Sequence, residues 1–254
     1  MKIFLIGDTQ VKPGIDLGYL DRVGKYLVEK EPDIVVHLGD HWDLPSLSSY
    51  DVGKKSFEGR RYVEDIKAGN EGMQRLLQPL REKQSGQRKN GKKLYRPRMV
   101  FLFGNHEQRI LRAVDNDPKL DGVLGYHDLD LTDWEVHDFL EVVVINNIAF
   151  SHYFTTGCMG RPATSARAIL SKKHMSCCAG HQQGLDIALD HKADGTRITS
   201  IICGSSYEHT ESYLGHQGNK HFRGVVMLHE VQEDGSFDVM PVSMNYLRNK
   251  YGTT

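Results

Sequence analysis

The sequence predicts an α/β fold in which two β-sheets pack face to face and helices cover their outer surfaces. The first part of the chain alternates short apolar runs with helical patterns, which is typical of parallel strands connected by helices. The later part is rich in short strand-like runs, several of them joined by hairpin turns. A layered sandwich of two sheets accounts for both patterns.

The first elements form a strand–helix–strand unit. Lys2–Ile6 is a short apolar run that stops at a polar loop, and it therefore predicts a buried strand. The apolar residues of Tyr19–Lys30 recur at helical spacing, and Ile34–Leu38 is a second buried strand. Two successive strands connected by a helix are expected to run parallel, because the helix returns the chain to the same end of the sheet.

The later elements follow from the same patterns. Helices are predicted at Arg61–Leu80 and Thr164–Lys173, a helix at Glu107–Arg112 is one of two interpretations of Glu107, and strands are predicted at Met99–Phe103, Ser176–Ala179 and Thr199–Cys203. Hairpins are predicted for Glu141–Ile145 with Ile148–Ser151, and for Val225–His229 with Phe237–Pro241. We predict a single domain over residues 1–254, because the polar residues of interest are spread from Asp8 to His181.

The composition is that of a globular protein with no strong charge preference. Hydrophobic residues make up 39%, charged residues 26%, and the formal net charge is −1, so no global field favours nucleic acid or a membrane. No stretch approaches the roughly 18 apolar residues of a membrane span, and the opening residues do not resemble a secretory signal. The four cysteines show no CxxC spacing, which predicts free thiols and a cytoplasmic protein.

Side chains that can bind metal follow the ends of five predicted strands. Carboxyl ends of parallel strands share one edge of a sheet, where ligands bind, so these side chains should converge although they are distant in sequence. Oxygen and nitrogen donors delivered by several strands favour a metal centre. The five residues are Asp8, Asp40, Asn105, His152 and His181.

The segments around these residues resemble the motifs of the calcineurin-like metallophosphoesterase superfamily, D-x-H, G-D-x-x-D, G-N-H-D/E, a single His and G-H-x-H. The resemblance implies a four-layer αββα sandwich of two mixed sheets flanked by helices. It also implies hydrolysis of phosphoesters at two divalent metal ions. The matching segments occur in the family's order and are GDTQ (7–10), GDHWD (39–43), GNHE (104–107), SHY (151–153) and GHQQ (180–183).

The resemblance implies a ligand set for each ion, with Asp40 bridging the two. Gln10 and Gln183 stand where the family has histidine. The first site would then be weak and all-oxygen, which favours Mn²⁺, with Mg²⁺, iron or Zn²⁺ as alternatives. The second ion would be held by Asp40, Asn105, His152 and His181, and the first by Asp8, Gln10, Asp40 and Gln183.

Two neighbours of Asp40 offer alternatives for the first site. Either His41 or Asp43 would complete its ligand set in place of a glutamine, or Asp43 would stand behind the ligands as an orienting hydrogen-bond acceptor.

The family mechanism assigns further roles. A metal-bound hydroxide would attack phosphorus, and His106 would protonate the leaving oxygen as general acid. Glu107 would either orient that imidazole or open a helix. Arg161 is a candidate for gripping the substrate phosphate, although a solvent-exposed loop arginine explains it equally well.

The tract Arg81–Arg98 carries the strongest local charge. It holds eight Lys or Arg residues against one Glu, a net charge of +7. Its polar composition, with two Gly and one Pro, predicts a flexible basic insertion at about 81–98 that leads into the strand before Asn105. Such a loop would either track the backbone of single-stranded or duplex nucleic acid or be a solvated surface loop.

We expect a phosphodiesterase that acts on nucleotides or nucleic acid, as in the family's repair-nuclease branch. A phosphomonoesterase related to the protein phosphatase branch is the first alternative, favoured by GNHE but opposed by the lack of an Arg after Asp43. A degenerate, non-catalytic module that binds metal or phosphate is the second alternative, because two expected ligand histidines are glutamines.

Overall fold

The computed structural model describes residues 1–252 of the chain. Its helices are α1 (Gly18–Lys30), α2 (Tyr62–Lys89), α3 (Gln108–Asn116), α4 (Ala166–Lys173), α5 (Gly215–Gly218) and α6 (Met244–Tyr251). None of the helices within residues 1–252 combines the length and the apolar composition of a membrane-spanning segment. The strands are β1 (Ile3–Ile6), β2 (Ile34–His37), β3 (Arg98–Leu102), β4 (Glu135–His137), β5 (Val143–Ile145), β6 (Ile148–Ser151), β7 (Ser176–Ala179), β8 (Leu185–His191), β9 (Arg197–Cys203), β10 (Gly224–His229) and β11 (Asp238–Ser243).

The strands form two mixed sheets. The first has the order β11-β10-β1-β2-β3-β4, and the second has the order β5-β6-β7-β9-β8. In the first sheet β1 to β4 run parallel, and Phe4 of β1 lies beside Val35 of β2. In the second sheet β6, β7 and β9 run parallel. Antiparallel strands occupy the margins of both sheets, which gives each sheet its mixed character.

Alternation along the strands divides the apolar residues into three layers. Leu5 points between the two sheets, where it joins a cluster that includes Phe150 of the second sheet. Phe4 points to the opposite face, which packs against α1 and α2. A third cluster joins α4 to the outer face of the second sheet. The structure is therefore a four-layer αββα sandwich, as predicted, and each fully buried Leu or Phe stabilises it by about 1.5–3 kcal/mol.

Four of these elements were not predicted from the sequence, namely the four-residue helix α5 and three others that are longer or form part of a sheet. Strand β4 is only three residues long and its side chains are largely solvent-accessible, so it has no apolar run. Strand β8 lies at the edge of its sheet, and several of its residues are exposed. Helix α6 buries only Met244 and Leu247. Each of these last three elements depends on pairing or packing with a distant segment, which local patterning does not reveal.

Helix α2 corrects the prediction of a flexible loop over residues 81–98. The helix continues past Leu80 to Lys89 and contains Pro79. The Lys, Arg, Gln and Glu residues of this stretch are good helix formers, and a solvent-facing extension needs no apolar stripe. The non-helical part of the basic tract is therefore limited to residues 90–97.

The basic tract also lies far from the carboxyl ends of the strands. The Lys83 ammonium contacts the carbonyl of Val28 at 3.1 Å, and the Tyr95 hydroxyl donates to the carbonyl of Pro32 at 2.7 Å. Both carbonyls precede β2, so the tract surrounds the end of the sheet where the parallel strands begin. Along α2, residues 69 and 89 are separated by about 30 Å at 1.5 Å per residue.

Candidate metal centre and active site

Five predicted site residues lie directly beyond strands of the two sheets. Because β1, β2 and β3 are mutually parallel, as are β6 and β7, their carboxyl ends open toward one edge of the sandwich. The structure therefore brings together residues from both sheets, as the sequence predicted. The five are Asp8 after β1, Asp40 after β2, Asn105 after β3, His152 after β6 and His181 after β7.

Four of these side chains converge on one point. Oδ1 of Asn105 lies 3.0 Å from Nε2 of His152 and 2.7 Å from Nδ1 of His181. Oδ2 of Asp40 lies 3.4 Å from the same His152 nitrogen. Nδ1 of His152 donates to the Leu38 carbonyl at 2.6 Å, which directs Nε2 to the cluster. Ligands bound at right angles about 2.1 Å from an ion stand roughly 3 Å apart, so this spacing suits a metal ion.

The backbone is strained at this cluster. Gln10, Asp40 and His181 have φ values of 43°, 53° and 67°, in the left-handed region that residues with a side chain rarely adopt. Such conformations cost on the order of 1–3 kcal/mol each and concentrate at functional sites. Gly104 lets the Asp40 side chain approach the backbone closely, because a Cβ at this position would lie 2.1 Å from Oδ1 of Asp40. The side chains of the site are thus positioned by backbone conformations that are energetically unfavourable.

Gln183 has a side-chain oxygen with the properties of a metal ligand. Its Nε2 donates to Oδ2 of Asp8 at 3.1 Å, whereas its Oε1 is buried and has no hydrogen-bond partner. An unsatisfied buried acceptor costs about 1–3 kcal/mol, which a cation beside it would offset. The side-chain amide of Gln10 instead contacts the Tyr213 hydroxyl, which lies 3.3 Å from Nε2 and 3.4 Å from Oε1. Gln183 therefore fits the first ion, while direct ligation by Gln10 stays a prediction.

The buried ionisable groups at the centre shift one another's pKa values. Burial and the neighbouring Asp40 raise the pKa of Asp8 to about 7. Although burial opposes it, the charges of His106 and His152 lower the pKa of Asp40. For His152 burial acts to lower the pKa, but Asp40 outweighs it and raises the value to about 9. A divalent cation between the two carboxylates would relieve their repulsion, so the electrostatics also suit a metal centre.

His106 lies beside the centre and is oriented by Asp43. Its Nδ1 lies 2.8 Å from Oδ1 of Asp43, and its Nε2 lies 3.8 Å from Oδ2 of Asp40. Burial acts to lower the pKa of His106, but these two carboxylates raise it. Asp43 thus orients the imidazole of His106, which is not one of the proposed metal ligands, and the two roles predicted for Asp43 at the first metal site stay predictions.

His41 is not available as a substitute ligand, which corrects one of the alternatives drawn from the sequence. Its ring is fully buried, with Nδ1 2.8 Å from the Thr9 hydroxyl and Nε2 3.0 Å from the Gly69 carbonyl. Both nitrogens are therefore occupied, and Nε2 points to helix α2. The packing of α2 against this segment holds the ring in that direction.

Glu107 stands at the start of helix α3, as one of the two predictions for it stated, and its side chain has a further role that was not predicted. Its Oε1 accepts hydrogen bonds from the backbone amides of His41 and Trp42 at 2.7 and 3.0 Å. Its Oε2 accepts from the amides of Asp40 and Gly104 at 3.0 and 2.9 Å. The carboxylate thus holds the backbone that carries the metal-binding side chains, and it makes no hydrogen bond with the His106 ring.

Arg109, and not Arg161, presents a guanidinium to the site. Arg161 is exposed in the loop between β6 and α4 and does not line the cleft. Arg109 donates to the Asp43 carbonyl at 2.6 Å, and another of its nitrogens lies 3.2 Å from Nε2 of His106. The sequence signal for Arg109 was its position one helical turn after His106. The path of the loop that carries Arg161 leaves this residue outside both recesses, and local sequence does not reveal that path.

The metal centre opens into two adjoining recesses. The larger has a volume of about 980 Å³ and the smaller about 390 Å³. Neither is lined by the basic tract of residues 81–98. Both recesses are lined by Tyr50, Asn105, Arg109 and His181.

Comparison with known proteins bears on the same site. The family model described as calcineurin-like phosphoesterase matches residues 1–239. The Gene 54 protein of Mycobacterium phage L5 is 37% identical over 86 residues, which cover 34% of this chain and 32% of that protein, so the match spans about a third of the relative. The structure of Yfce, a phosphoesterase from E. coli, aligns with 96% of this chain and 100% of its own, at 13% identity and a TM-score of 0.39.

Proposed function

Because this chain belongs to the calcineurin-like phosphoesterase family, we propose that it is a metal-dependent phosphodiesterase acting on nucleotides or nucleic acid. Family membership makes the protein a hydrolase of phosphoester bonds and implies divalent metal ions. The clustered donor atoms of Asp40, His152 and His181 provide a site for one of them. The preference for a diester is supported by the two recesses that meet at this centre.

A phosphodiester carries two organic groups on phosphorus, and a monoester carries one. The two recesses share Asn105 and His181 of the metal centre, so a phosphate at the centre would direct one group into each recess. The smaller recess is partly lined by apolar side chains, those of Leu47, Ala113 and Pro162. Such a lining suits a sugar or base. A monoester would leave one recess without a ligand. This arrangement therefore supports a diester.

The ions would be held by the residues that the family motifs indicate. When bound, they polarise the phosphoryl oxygens and lower the pKa of a water molecule. The carbonyl oxygens of two glutamines are neutral, hard donors, which supports Mn²⁺ over Zn²⁺ at the first site. The proposed ligands are Asp8, Gln10, Asp40 and Gln183 for the first ion and Asp40, Asn105, His152 and His181 for the second.

His106 and Arg109 would act on the substrate itself. Since Asp43 holds Nδ1 of His106, Nε2 is the atom free to give a proton to the leaving oxygen, a role typically worth 10²–10⁴-fold. A protonated Nε2 cannot accept a hydrogen bond from Arg109. In that state the guanidinium is released to bind a non-bridging phosphate oxygen, for which its planar donors are suited.

Hydrolysis of bis-p-nitrophenyl phosphate and p-nitrophenyl phosphate, each with Mn²⁺, Mg²⁺ and Zn²⁺, tests the proposal. We expect the diester to be hydrolysed with the higher kcat/KM and Mn²⁺ to support the highest rate. A higher kcat/KM for the monoester would show a phosphomonoesterase. No turnover of either ester by protein shown to hold metal would identify a non-catalytic binding module.

A further inference from the structure

Two exposed tyrosine rings line the larger recess beside the metal centre. Tyr50 is 78% exposed and Tyr213 is 63% exposed, and they come from segments far apart in the chain. Among the described residues, the other tyrosine with a largely exposed ring is Tyr246, which lies on α6 outside both recesses. Aromatic side chains supply a large contact area at a small entropy cost, so exposed rings inside a cleft suit a planar ligand.

The ring of Tyr213 is held in place although it is not buried. Its hydroxyl contacts the amide of Gln10 at 3.3 and 3.4 Å. Two residues earlier, Glu211 forms an ion pair with Lys12 at 2.5 Å, and its backbone amide donates to Asn219 at 2.8 Å. These contacts fix the segment before a ligand arrives, which lowers the entropy lost on binding.

The charges of the larger recess do not suit a long polyanion. Five cationic side chains line it against seven carboxylates. Lys12 pairs with Asp43 and Glu211, and Asp51 pairs with both Lys54 and Arg60. Each contact that neutralises a nucleic-acid phosphate and releases its counterion requires an available cation. Among the described residues, the lining cation without a carboxylate partner is Arg61, and Arg109 lies 3.7 Å from its nearest carboxylate oxygen, on Asp43, so these two cations suffice for one or two phosphates.

We propose that Tyr50 and Tyr213 form a nucleobase-binding site, so that the substrate is a short nucleotide diester recognised through its base. The proposal rests on the proposed phosphodiesterase function and specifies its substrate class. Stacking of a base on an aromatic ring is tolerant of base identity and does not need a basic groove. The position of the basic tract at the opposite end of the sheet agrees with recognition through the base.

Two esters with the same leaving group measure the contribution of the nucleoside, and substitutions of the two rings then test whether the base is responsible. Thymidine 5′-(p-nitrophenyl phosphate) and methyl p-nitrophenyl phosphate are compared with the full chain loaded with Mn²⁺. Stacking predicts that the wild-type kcat/KM for the thymidine ester exceeds that for the methyl ester by about 5- to 150-fold. The ratio cancels differences in folding and metal content between variants, because both esters report on the same active molecules.

Substitutions then test whether the two tyrosine rings are responsible for the kcat/KM ratio of the thymidine ester to the methyl ester. Tyr50→Ala and Tyr213→Ala should each lower the ratio several-fold, whereas Tyr213→Phe should retain it because the ring is kept. Tyr246→Ala is the matched control and should leave the ratio unchanged. A wild-type ratio near one would overturn the base site and leave the phosphodiesterase function intact. No turnover of either ester by metal-loaded protein would overturn both.

Salt dependence separates a short nucleotide from a strand tracked along its backbone. Each phosphate contact on a single strand contributes roughly −0.7 to the slope of log affinity against log salt. With two available cations, the slope for a thymidine oligonucleotide should be no steeper than about −1.4. A slope near −3 would show an extended backbone contact and would overturn the short-substrate proposal.

Discussion

The side chain of Glu107 holds the backbone of Asp40: its Oε2 accepts the Asp40 amide at 3.0 Å. The same carboxylate accepts three further backbone amides from the segments that precede and follow the site. Asp40 has a φ of 53°, so its conformation is strained and depends on such support. Glu107 is therefore a positioning residue for the carboxylate proposed to bridge two ions.

Glu107→Gln should destabilise the protein. An amide can accept on one side only, and its NH₂ group would face two backbone N–H donors that are left unsatisfied. Unsatisfied buried donors cost about 1–3 kcal/mol each, so we expect a loss on the order of 3 kcal/mol in urea unfolding. Glu82→Gln, an exposed change on α2, should stay within about 0.5 kcal/mol of wild type. Equal midpoints for the two variants would contradict this role.

Asp40→Ala should abolish activity and release at least one metal ion, because one carboxylate is proposed to serve both sites. Elemental analysis of dialysed protein before and after the substitution measures the change. Asp190→Ala removes an exposed carboxylate on β8 and should leave the metal content as it was. Unchanged metal content in Asp40→Ala would rule out the bridging role.

His106→Ala should slow alkyl esters far more than p-nitrophenyl esters. A nitrophenolate leaves without a proton, whereas an alkoxide needs one, and general acid catalysis contributes 10²–10⁴-fold. Asp43→Asn should show the same bias to a smaller degree, because Asp43 orients the imidazole at 2.8 Å. Rates are compared for alkyl and p-nitrophenyl diesters of the same phosphate. An equal loss on both would remove His106 from the acid role.

Changing Gln10 and Gln183 together to His should strengthen the first metal site. Imidazole is a better ligand than an amide for most divalent transition metals, so less added Mn²⁺ should be needed for full rate. Calorimetric titration with Mn²⁺, run beside the activity assay, should show one weak site in the native protein and two tight sites in the variant. Two equal, tight sites in the native protein would show that the glutamines do not weaken binding.

Arg109→Ala should lower kcat/KM about 10- to 150-fold, since a hydrogen bond to a charged group contributes about 1.5–3 kcal/mol. Arg109→Lys should recover only part of the lost kcat/KM, because an ammonium group cannot reproduce the paired, planar hydrogen-bond donors of a guanidinium. Inhibition by inorganic phosphate should weaken in parallel, which a purely structural role would not produce. Arg167→Ala, at an exposed position on α4, is the control. Unchanged phosphate inhibition in Arg109→Ala would contradict the assignment.

Helix α2 shows where local sequence is sufficient and where it is not. Its apolar stripe predicted the buried half, and Met73 and Leu77 pack in the core as expected. The half beyond Leu80 has no apolar stripe, and its polar composition with glycine and proline suggested a loop. The helix persists there because its Lys, Arg, Gln and Glu residues favour helix and because Lys83 contacts the carbonyl of Val28 in α1. The missing apolar stripe therefore misled the prediction where intrinsic helix propensity was sufficient.

The fold class, the family motifs and the convergence of five side chains beyond strand ends could be predicted from the sequence, because local hydrophobic periodicity locates strands and helices, and strands joined by helices run parallel. What those side chains contact could be read only from the folded chain. The tertiary structure turned His41 toward α2, gave Glu107 four backbone amides to hold, and placed Arg109 at the site in place of Arg161. Such contacts depend on side-chain direction and loop path, which distant segments set when they pack together.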